Sequence, residues 1–467
     1  MSVKEFLEES KKGNINFLDF ASALLEEVER INKRFQLLRE ICDIRDRLYL
    51  RPPLNGLPIS VKDCICVKGV QSCAGSKILE GYIPPFDATC VHRVKDQGAT
   101  ILGKTNQDEF GFGTFSTNSG YGIPKNPLDP LRSAGGSSGG AAGLVAALDF
   151  PHVALGESTG GSISAPAAFC GVVGITPTYG LVSRYGQIDY ANSLDKIGVI
   201  GKTVNDCALI LSIIAGKDEK DQTSIGEKKD YNKSIVTGSR SDQARATDLK
   251  GVKIAIPKEY FQNLDKEIEK EVWNAIKKME CNGATYEKIS LKNTKYGVAA
   301  YYIIATAEAS TNLAKYCGMR YGLHGKLEGN FNEYFSSVRT IGLTEEAKRR
   351  IILGTFTRMA GYRDAYYLKA MKVRTLIIQE HKKVFKNFDI IASPSMPIQP
   401  PKFKDIEKLK PVEHYQMDFL TIPPNLAGLP HLSIPVANKT PIGLHLTADH
   451  LEEDKLFKIG SVFEKIR

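Results

Sequence analysis

The sequence lacks the features that mark small secreted proteins and membrane proteins. Its 467 residues include 9 cysteines, an odd number with no Cys-x-x-Cys pair, so neither a disulfide framework nor a zinc site is indicated. No run of about 18 uncharged apolar residues occurs, and the charged amino terminus lacks the apolar stretch of a signal peptide. We expect no membrane contact and a cytoplasmic location, or an equivalent reducing space in an organelle.

The chain also has only a small excess of positive over negative charge. The chain carries 62 Lys and Arg residues against 53 Asp and Glu residues, a net charge of +9, and the two signs are interleaved almost everywhere. This balance is compatible with an RNA-bearing partner but does not indicate a nucleic-acid surface on this chain. With 42% apolar and 25% charged residues, the composition is that of a globular protein and excludes collagen and a disordered chain.

The spacing of apolar residues predicts strands that alternate with helices. The predicted strands cover residues 57–61, 99–102, 153–155, 172–175, 252–256, 286–291, 389–392, 431–436 and 442–446. The predicted helices cover residues 17–36, 89–97, 141–148, 204–215, 266–279, 301–316, 345–385 with an interruption near 361, and 452–466. This alternation predicts an α/β fold with a central mixed, mostly parallel twisted sheet that helices cover on both faces.

About half of the 41 glycines fall between residues 98 and 201, and this stretch contains three small-residue motifs. The first, GATILGKT at residues 98–105, satisfies the phosphate-loop pattern. A phosphate loop must follow a strand and open a helix. Here a helical segment precedes the motif and its own residues look like a strand, so we reject nucleotide binding at this place.

The second motif, GGSSGG at residues 135–140, contains two overlapping Gly-x-Ser-x-Gly patterns centred on Ser137 and Ser138. It is typical of a nucleophile elbow or, alternatively, of a flexible linker. A helix that begins at once favours the first interpretation, since a helix amino terminus can aim N–H groups at an oxyanion. An elbow also needs a histidine as its base. His445 and His450 are candidates for this role, although neither lies in a recognisable triad pattern.

The third motif, GESTGGSISAP at residues 156–166, is a second serine loop that can meet the first at one sheet edge. One serine can then activate another, provided that a base removes its proton. A buried lysine can be that base because burial favours the neutral amine. Lys62, directly after the predicted strand 57–61, is the candidate. The alternative is an ordinary strand lysine with its head in water.

Taken together and in this order, Lys62 and the two serine loops resemble the amidase signature family, and the resemblance extends over nearly the whole chain. Segments GLPISVKD (56–63), GKTNQDEF (103–110), GVVGITP (171–177) and NLAGLP (425–430) are similar to that family's pattern. The resemblance implies a Ser-Ser-Lys triad in which Ser162 is the nucleophile, Ser137 the bridging serine and Lys62 the base. It also implies an oxyanion site formed by the backbone of Thr159, Gly160 and Gly161.

Within this family the later part of the chain is most similar to the A subunits of glutamyl- or aspartyl-tRNA amidotransferases. The similar segments are RRIILGTF (349–356), AYYLK (365–369), KVRT (372–375) and MDFLT (417–421). By this resemblance Arg350 pairs with the α-carboxylate of glutamine, Asp418 with its α-amino group, and Tyr301 lies in the pocket. Charges of both signs are what a free amino acid needs.

The resemblance implies a glutaminase that releases ammonia for a partner subunit, which amidates Glu-tRNA(Gln) or Asp-tRNA(Asn). The expected assembly is a heterotrimer with the amidotransferase B and C subunits. ATP and magnesium would be used by the partner, misacylated tRNA would be contacted mainly through it, and this chain would need no metal or cofactor. The alternatives are a stand-alone amidase for small amides and a non-catalytic protein for assembly or tRNA binding.

We expect a single amidase domain over residues 1–467. Its parts are an N-terminal helical arm (1–50), a signature core with the triad (51–216), a polar surface loop (217–248) and the rest of the core with the substrate-binding residues (249–467). The sequence departs from many family members at Ser158 and Ser164, where Asp and Arg are more usual.

Overall fold

A sheet of 11 strands runs through the centre of the molecule. The computed structural model describes residues 1–45, 50–226, 229–235 and 248–467. Its strands are β1 (Leu38–Ile41), β2 (Pro58–Lys62), β3 (Thr100–Thr105), β4 (Lys125–Asn126), β5 (Asp129–Ser133), β6 (Val153–Ser158), β7 (Val173–Thr176), β8 (Lys196–Gly201), β9 (Lys253–Pro257), β10 (Thr285–Ile289), β11 (Ile390–Pro394), β12 (His431–Pro435) and β13 (Gly443–Thr447). Strands β4 and β5 form a separate hairpin.

The strand order in the large sheet is β1-β3-β2-β6-β8-β7-β12-β13-β11-β9-β10. Parallel pairs join β3, β2 and β6 near one edge and β11, β9 and β10 at the other. The run from β6 to β11 is antiparallel. The predicted mixed sheet is therefore confirmed, but the expectation of mostly parallel pairing is wrong, because parallel pairs are confined to the flanks. Strand β8 was not predicted from the sequence, and it is the strand that reverses direction beside β6.

The helices are α1 (Val3–Lys11), α2 (Phe17–Phe35), α3 (Thr89–Asp96), α4 (Gly139–Ala147), α5 (Ser164–Cys170), α6 (Val204–Ile214), α7 (Lys266–Cys281), α8 (Gly297–Asn312), α9 (Phe331–Gly342), α10 (Glu345–Arg358), α11 (Lys369–Val384), α12 (Phe403–Ile406), α13 (Pro411–Gln416), α14 (Ile422–Leu426) and α15 (Glu453–Ile466). The predicted long helix over 345–385 is α10 and α11, separated around Gly361 as expected. Helices α1, α5, α9 and α12–α14 were not predicted, and most of them are short.

Both faces of the sheet are covered. Every residue of β2, β3, β6 and β8 is buried, which requires packing on both sides because successive side chains point to opposite faces. The predicted helix 17–36 is α2, capped by the Asn16 side chain and buried along one side through Leu24, Val28 and Ile31. Its buried side chains join the same apolar core as the strands.

The predicted polar loop 217–248 is described in part. Residues 217–226 and 229–235 include a single 3-10 turn, Tyr231–Ser234, and residues 227–228 and 236–247 lie outside the described part of the chain. The Tyr231 ring is buried and lies 5.5 Å from the Phe457 ring. This part of the loop is therefore attached to helix α15. The division of the chain into an arm, a core and a loop stays a prediction.

Candidate active site

The three residues of the expected triad lie at neighbouring ends of secondary structure. Lys62 ends β2, Ser137 precedes helix α4, and Ser162 lies between β6 and α5. Because β2 and β6 are parallel neighbours, the loops that follow them emerge at the same edge of the sheet. Lys62 and Ser137 are fully buried, and Ser162 is 5% exposed.

Lys62 is fully engaged inside the protein. Its Nζ donates hydrogen bonds to Ser137 Oγ at 2.7 Å, to the Glu157 backbone oxygen at 2.8 Å and to Glu157 Oε2 at 2.8 Å. Lys62 is therefore not an ordinary strand lysine with a solvent-exposed amine, because its side chain has no exposed surface. A buried amine in contact with a serine hydroxyl is placed to remove that hydroxyl's proton.

The two serine loops contact each other through their backbones. The Ser138 N–H donates to the Ser162 backbone oxygen at 3.2 Å. The described hydrogen bonds do not include one between the Ser137 and Ser162 hydroxyls, so the role of Ser162 stays a prediction. What the fold supplies is a buried contact between Lys62 and Ser137, whose neighbour Ser138 contacts the loop that carries Ser162.

The loop from Thr159 to Gly161 is packed so closely that a side chain at either glycine would require its neighbours to shift. A Cβ atom on Gly161 would lie 2.6 Å from Thr421 Oγ1, and one on Gly160 would lie 3.1 Å from the Tyr301 hydroxyl. The same Tyr301 hydroxyl is 2.8 Å from Thr159 Oγ1. Tyr301 therefore contacts the expected oxyanion loop, where glycine lets the backbone come close to a ligand.

Arg350 is 3% exposed and has a hydrogen-bonding and an aromatic environment. Its Nε donates to Glu346 Oε1 at 2.8 Å, and another guanidinium nitrogen donates to the Tyr190 hydroxyl at 2.7 Å. Four rings surround the guanidinium within 6 Å of their centroids, which favours the cation over a neutral group. These rings are Phe112, Tyr190, Tyr302 and Tyr415.

Asp418 lies beside the loop that carries Ser162. A Cβ atom on Gly161 would be 3.4 Å from Asp418 Oδ1, while Asp418 Oδ2 accepts hydrogen bonds from Thr114 Oγ1 at 2.9 Å and from the Tyr302 hydroxyl at 3.0 Å. Burial raises the pKa of Asp418 to about 6, against the opposing effect of these bonds. The carboxyl is therefore ionised at neutral pH and becomes neutral in mild acid.

Sequence reasoning missed several residues of this site. Tyr302 links Asp418 to Arg350, because its hydroxyl binds the carboxylate and its ring stacks on Tyr415 at a centroid distance of 4.0 Å. Tyr190 and Glu346 were also not predicted. A sequence signal exists for Glu346, which lies four residues before Arg350 on α10, a spacing at which helix side chains meet. Glu157 was visible inside the third motif, but nothing in the sequence pointed its side chain towards Lys62.

The two departures from the family pattern are accommodated inside the protein. Ser158 Oγ donates to the Gly160 backbone oxygen at 3.0 Å, and Ser164 Oγ lies 3.1 Å from His431 Nδ1. His431 Nδ1 is in turn 2.9 Å from His445 Nε2. The hydroxyl of Ser164 thus takes part in a buried cluster with two histidine rings.

A histidine-activated elbow does not form. His445 binds His431 and Ser164 rather than Ser137 or Ser138, and burial lowers its pKa to about 3. The His450 ring lies elsewhere, with its Nε2 3.0 Å from the Ala427 backbone oxygen. The two weak histidine candidates are therefore wrong, because the fold places both of them on other contacts.

The apparent phosphate loop is strand β3 and the turn before it, as its local pattern predicted. The Lys104 Nζ in this motif is buried and donates to the backbone oxygens of Asp63 and Ile65 and to Ser72 Oγ. Among the described residues, no group of three or more His, Cys, Asp or Glu side chains is arranged to hold a metal ion. None of the described helices is long and apolar enough to cross a membrane.

The family model described as Amidase matches residues 3–457. The chain belongs to the amidase family. It is 44% identical to the A subunit of the glutamyl-tRNA(Gln) amidotransferase of Methanosarcina mazei over 98% of this chain and 92% of that protein. The corresponding protein of Carboxydothermus hydrogenoformans is 43% identical over 100% and 97%.

Solved amidase structures share the fold. The crystal structure of the glutamyl-tRNA(Gln) amidotransferase A subunit from Thermotoga maritima matches with a TM-score of 0.82 and 36% identity, covering 100% of this chain and 94% of that one. The native peptide amidase of Stenotrophomonas maltophilia matches with a TM-score of 0.81 and 26% identity, covering 100% and 96%. The predicted α/β amidase signature fold is thus confirmed.

Proposed function

We propose that this amidase is the glutamine-hydrolysing component of a tRNA-dependent amidotransferase. The observation that carries the proposal is the buried hydrogen bond of 2.7 Å between Lys62 Nζ and Ser137 Oγ, beside the loop of Ser162. The names of the relatives that are more than 40% identical over nearly the whole chain support the same activity.

In this proposal the reaction uses these residues as follows. The neutral Lys62 amine takes the proton of Ser137, Ser137 takes the proton of Ser162, and the Ser162 oxygen attacks the side-chain amide of glutamine. Backbone N–H groups around Thr159, Gly160 and Gly161 stabilise the tetrahedral oxyanion. Ammonia leaves with a proton returned along the same path, and water then hydrolyses the acyl-enzyme.

Arg350 and Asp418 select a free amino acid. The α-carboxylate of glutamine pairs with the Arg350 guanidinium, and the α-ammonium pairs with the Asp418 carboxylate. Both charges are buried, where each is worth more than in water. Tyr301 forms part of the pocket wall, since its hydroxyl touches the Thr159 side chain.

The ammonia goes to a partner that amidates Glu-tRNA(Gln), Asp-tRNA(Asn) or both. In this proposal the chain assembles with the B and C subunits as a cytoplasmic or organellar heterotrimer. The partner uses ATP and magnesium and makes most of the contact with the misacylated tRNA. The chain itself contributes a single amidase domain and needs no metal or cofactor.

A glutaminase assay on the purified chain, with and without the partner proteins and misacylated tRNA, tests the proposal. We expect Ser162→Ala to lose at least about 10³-fold in kcat while its fold is retained. Turnover at the wild-type rate by Ser162→Ala would remove the assigned nucleophile. An inactive wild-type complex would favour a non-catalytic role in assembly or tRNA binding.

Arg350→Ala separates glutamine hydrolysis from a stand-alone amidase. We expect the KM for glutamine to rise about 100-fold, because a buried charge pair with the substrate is lost. Hydrolysis of neutral amides without a partner, unaffected by Arg350→Ala, would instead indicate a small-amide hydrolase.

A further inference from the structure

Glu157 is a buried carboxylate in direct contact with the expected base, and the reaction described above does not use it. It is 2% exposed, and its Oε2 lies 2.8 Å from Lys62 Nζ. An ion pair without solvent is costly unless both partners are well hydrogen-bonded. Lys62 meets this condition through three acceptors.

The Glu157 carboxylate, in contrast, is not well hydrogen-bonded. Its Oε1 is buried and receives no hydrogen bond from the described residues, and the second group near Oε2 is the Cys64 thiol at 4.0 Å. An isolated carboxylate accepts a proton more readily than one that several donors stabilise. Either an extra or a missing proton on the pair would leave net charge in the interior, which costs free energy unless that charge is compensated.

We propose that Glu157 is the proton-holding partner of Lys62, so that the two side chains share one proton and present a neutral amine to Ser137 without releasing a proton to solvent. This inference rests on the proposed function of the triad. Glu157 acts through Lys62 and is a positioning residue. It contacts neither the substrate nor the reacting carbonyl.

The protons balance through the cycle. An Nζ–H bond of the ammonium breaks and an O–H bond forms on Glu157 Oε2, which leaves a neutral amine. The amine then takes the Ser137 proton, Ser137 takes the Ser162 proton, and the bond from Ser162 Oγ to the amide carbon forms. The amide C–N bond breaks as the leaving nitrogen receives a proton from Ser137 and departs as ammonia. Lys62 resupplies the Ser137 proton, and the Glu157 proton finally returns to Nζ.

Three other ionisable groups interact electrostatically with the Lys62–Glu157 pair. The Asp195 carboxylate, held by the N–H groups of Tyr190 and Ala191, has its pKa raised well above its usual range by burial and next by Glu157. Burial raises the pKa of Asp108 to about 6 and the pKa of the Cys64 thiol well above its usual value. Asp108 therefore changes charge near neutrality, and all three groups are present in every variant below.

The test is the pH profile of the first turnover of glutamine, at saturating substrate, in the complete complex. In the wild type the pair keeps its proton, so we expect a rate that stays level into mild acid. In Glu157→Gln the amine must lose its proton to solvent, so the acid limb should move to higher pH by about one unit or more, with much of the rate regained at alkaline pH.

Three further variants keep the result interpretable. Glu157→Asp retains a carboxylate and should keep the wild-type acid limb with a lower rate, and Glu157→Ser replaces the Gln variant if that protein does not fold. Glu453→Gln removes another fully buried carboxylate, one that binds the Thr178 N–H, and should leave the profile unchanged.

An unchanged acid limb in Glu157→Gln, or a rate above the wild type at neutral pH, would overturn the inference. The second result would mean that Glu157 only holds Lys62 in its charged form. Failure of the proposed function is distinguishable, because it would appear as undiminished turnover by Ser162→Ala.

Discussion

Two buried lysines on adjacent strands have different surroundings in this protein. Lys62 ends β2 and Lys104 lies in β3, where Val61 pairs with Lys104 in parallel register. Both lysine side chains are fully buried. The Lys62 amine contacts a serine hydroxyl and a carboxylate, whereas Lys104 contacts two backbone oxygens and the Ser72 hydroxyl in a turn.

The difference shows that burial alone does not make a lysine a base. Lys104 satisfies the carbonyls of the segment that follows β2 and so fixes the turn behind the site. Lys62 contacts the Ser137 hydroxyl, which belongs to one of the two serine loops. We therefore expect Lys104 to contribute to the stability of the fold and Lys62 to its chemistry.

The strongest test substitutes each lysine in the same way. Lys62→Met should lower kcat for glutamine by at least about 10³-fold, because no base remains to accept the Ser137 proton. Lys104→Met should keep kcat within about threefold for the folded protein, since that amine touches no reacting group. The measurement is kcat for glutamine, on variants whose fold is verified by circular dichroism. An equal loss of kcat in both variants would contradict the distinction between the two lysines.

The hydroxyls next to the two lysines give a second test. We expect Ser137→Ala to lose about 10³-fold in kcat, because the proton path from Ser162 to Lys62 is interrupted. Ser72→Ala removes the corresponding hydroxyl contact of Lys104 and should cost about 1 kcal/mol of unfolding free energy with little effect on kcat. A fully active Ser137→Ala protein would exclude the bridging role.

Two buried acids, Asp418 beside the Ser162 loop and Asp63 beside Lys104, should differ in their effect on pH dependence. Because burial raises the pKa of Asp418 to about 6, the KM for glutamine should rise as pH falls below 6, by about tenfold per unit. Asp418→Asn should give a high KM that no longer changes with pH. Asp63, which binds Arg39 Nε at 2.8 Å and the Gly75 N–H at 2.9 Å, is the control, and Asp63→Asn should retain the wild-type dependence.

Replacement of Lys104 should affect mainly the stability of the protein. Lys104→Met leaves the oxygens of Asp63, Ile65 and Ser72 without their buried donor, so the free energy of unfolding should fall by about 2 kcal/mol. Chemical denaturation of the wild type and the variant measures this difference. An unchanged midpoint would show that the Lys104 contacts contribute nothing to the turn.

Much of the framework was predictable from local patterns. Helix α2 was expected over 17–36 and forms over Phe17–Phe35, because its apolar residues recur at helical spacing and a polar cap precedes them. The unexpected antiparallel centre of the sheet arises where β8 enters between β6 and β7. Strand direction depends on how connections return to the sheet, and apolar runs do not report this.

The family, the alternation of helices and strands, and the candidate residues Lys62, Ser137 and Ser162 can be inferred from the sequence alone, because short local motifs indicate them. The surroundings of these residues depend on the tertiary structure. Glu157 reaches Lys62 across 95 positions of the chain, and Tyr190 reaches Arg350 across 160. Such contacts depend on how distant segments pack together, and no local pattern of residues encodes that packing.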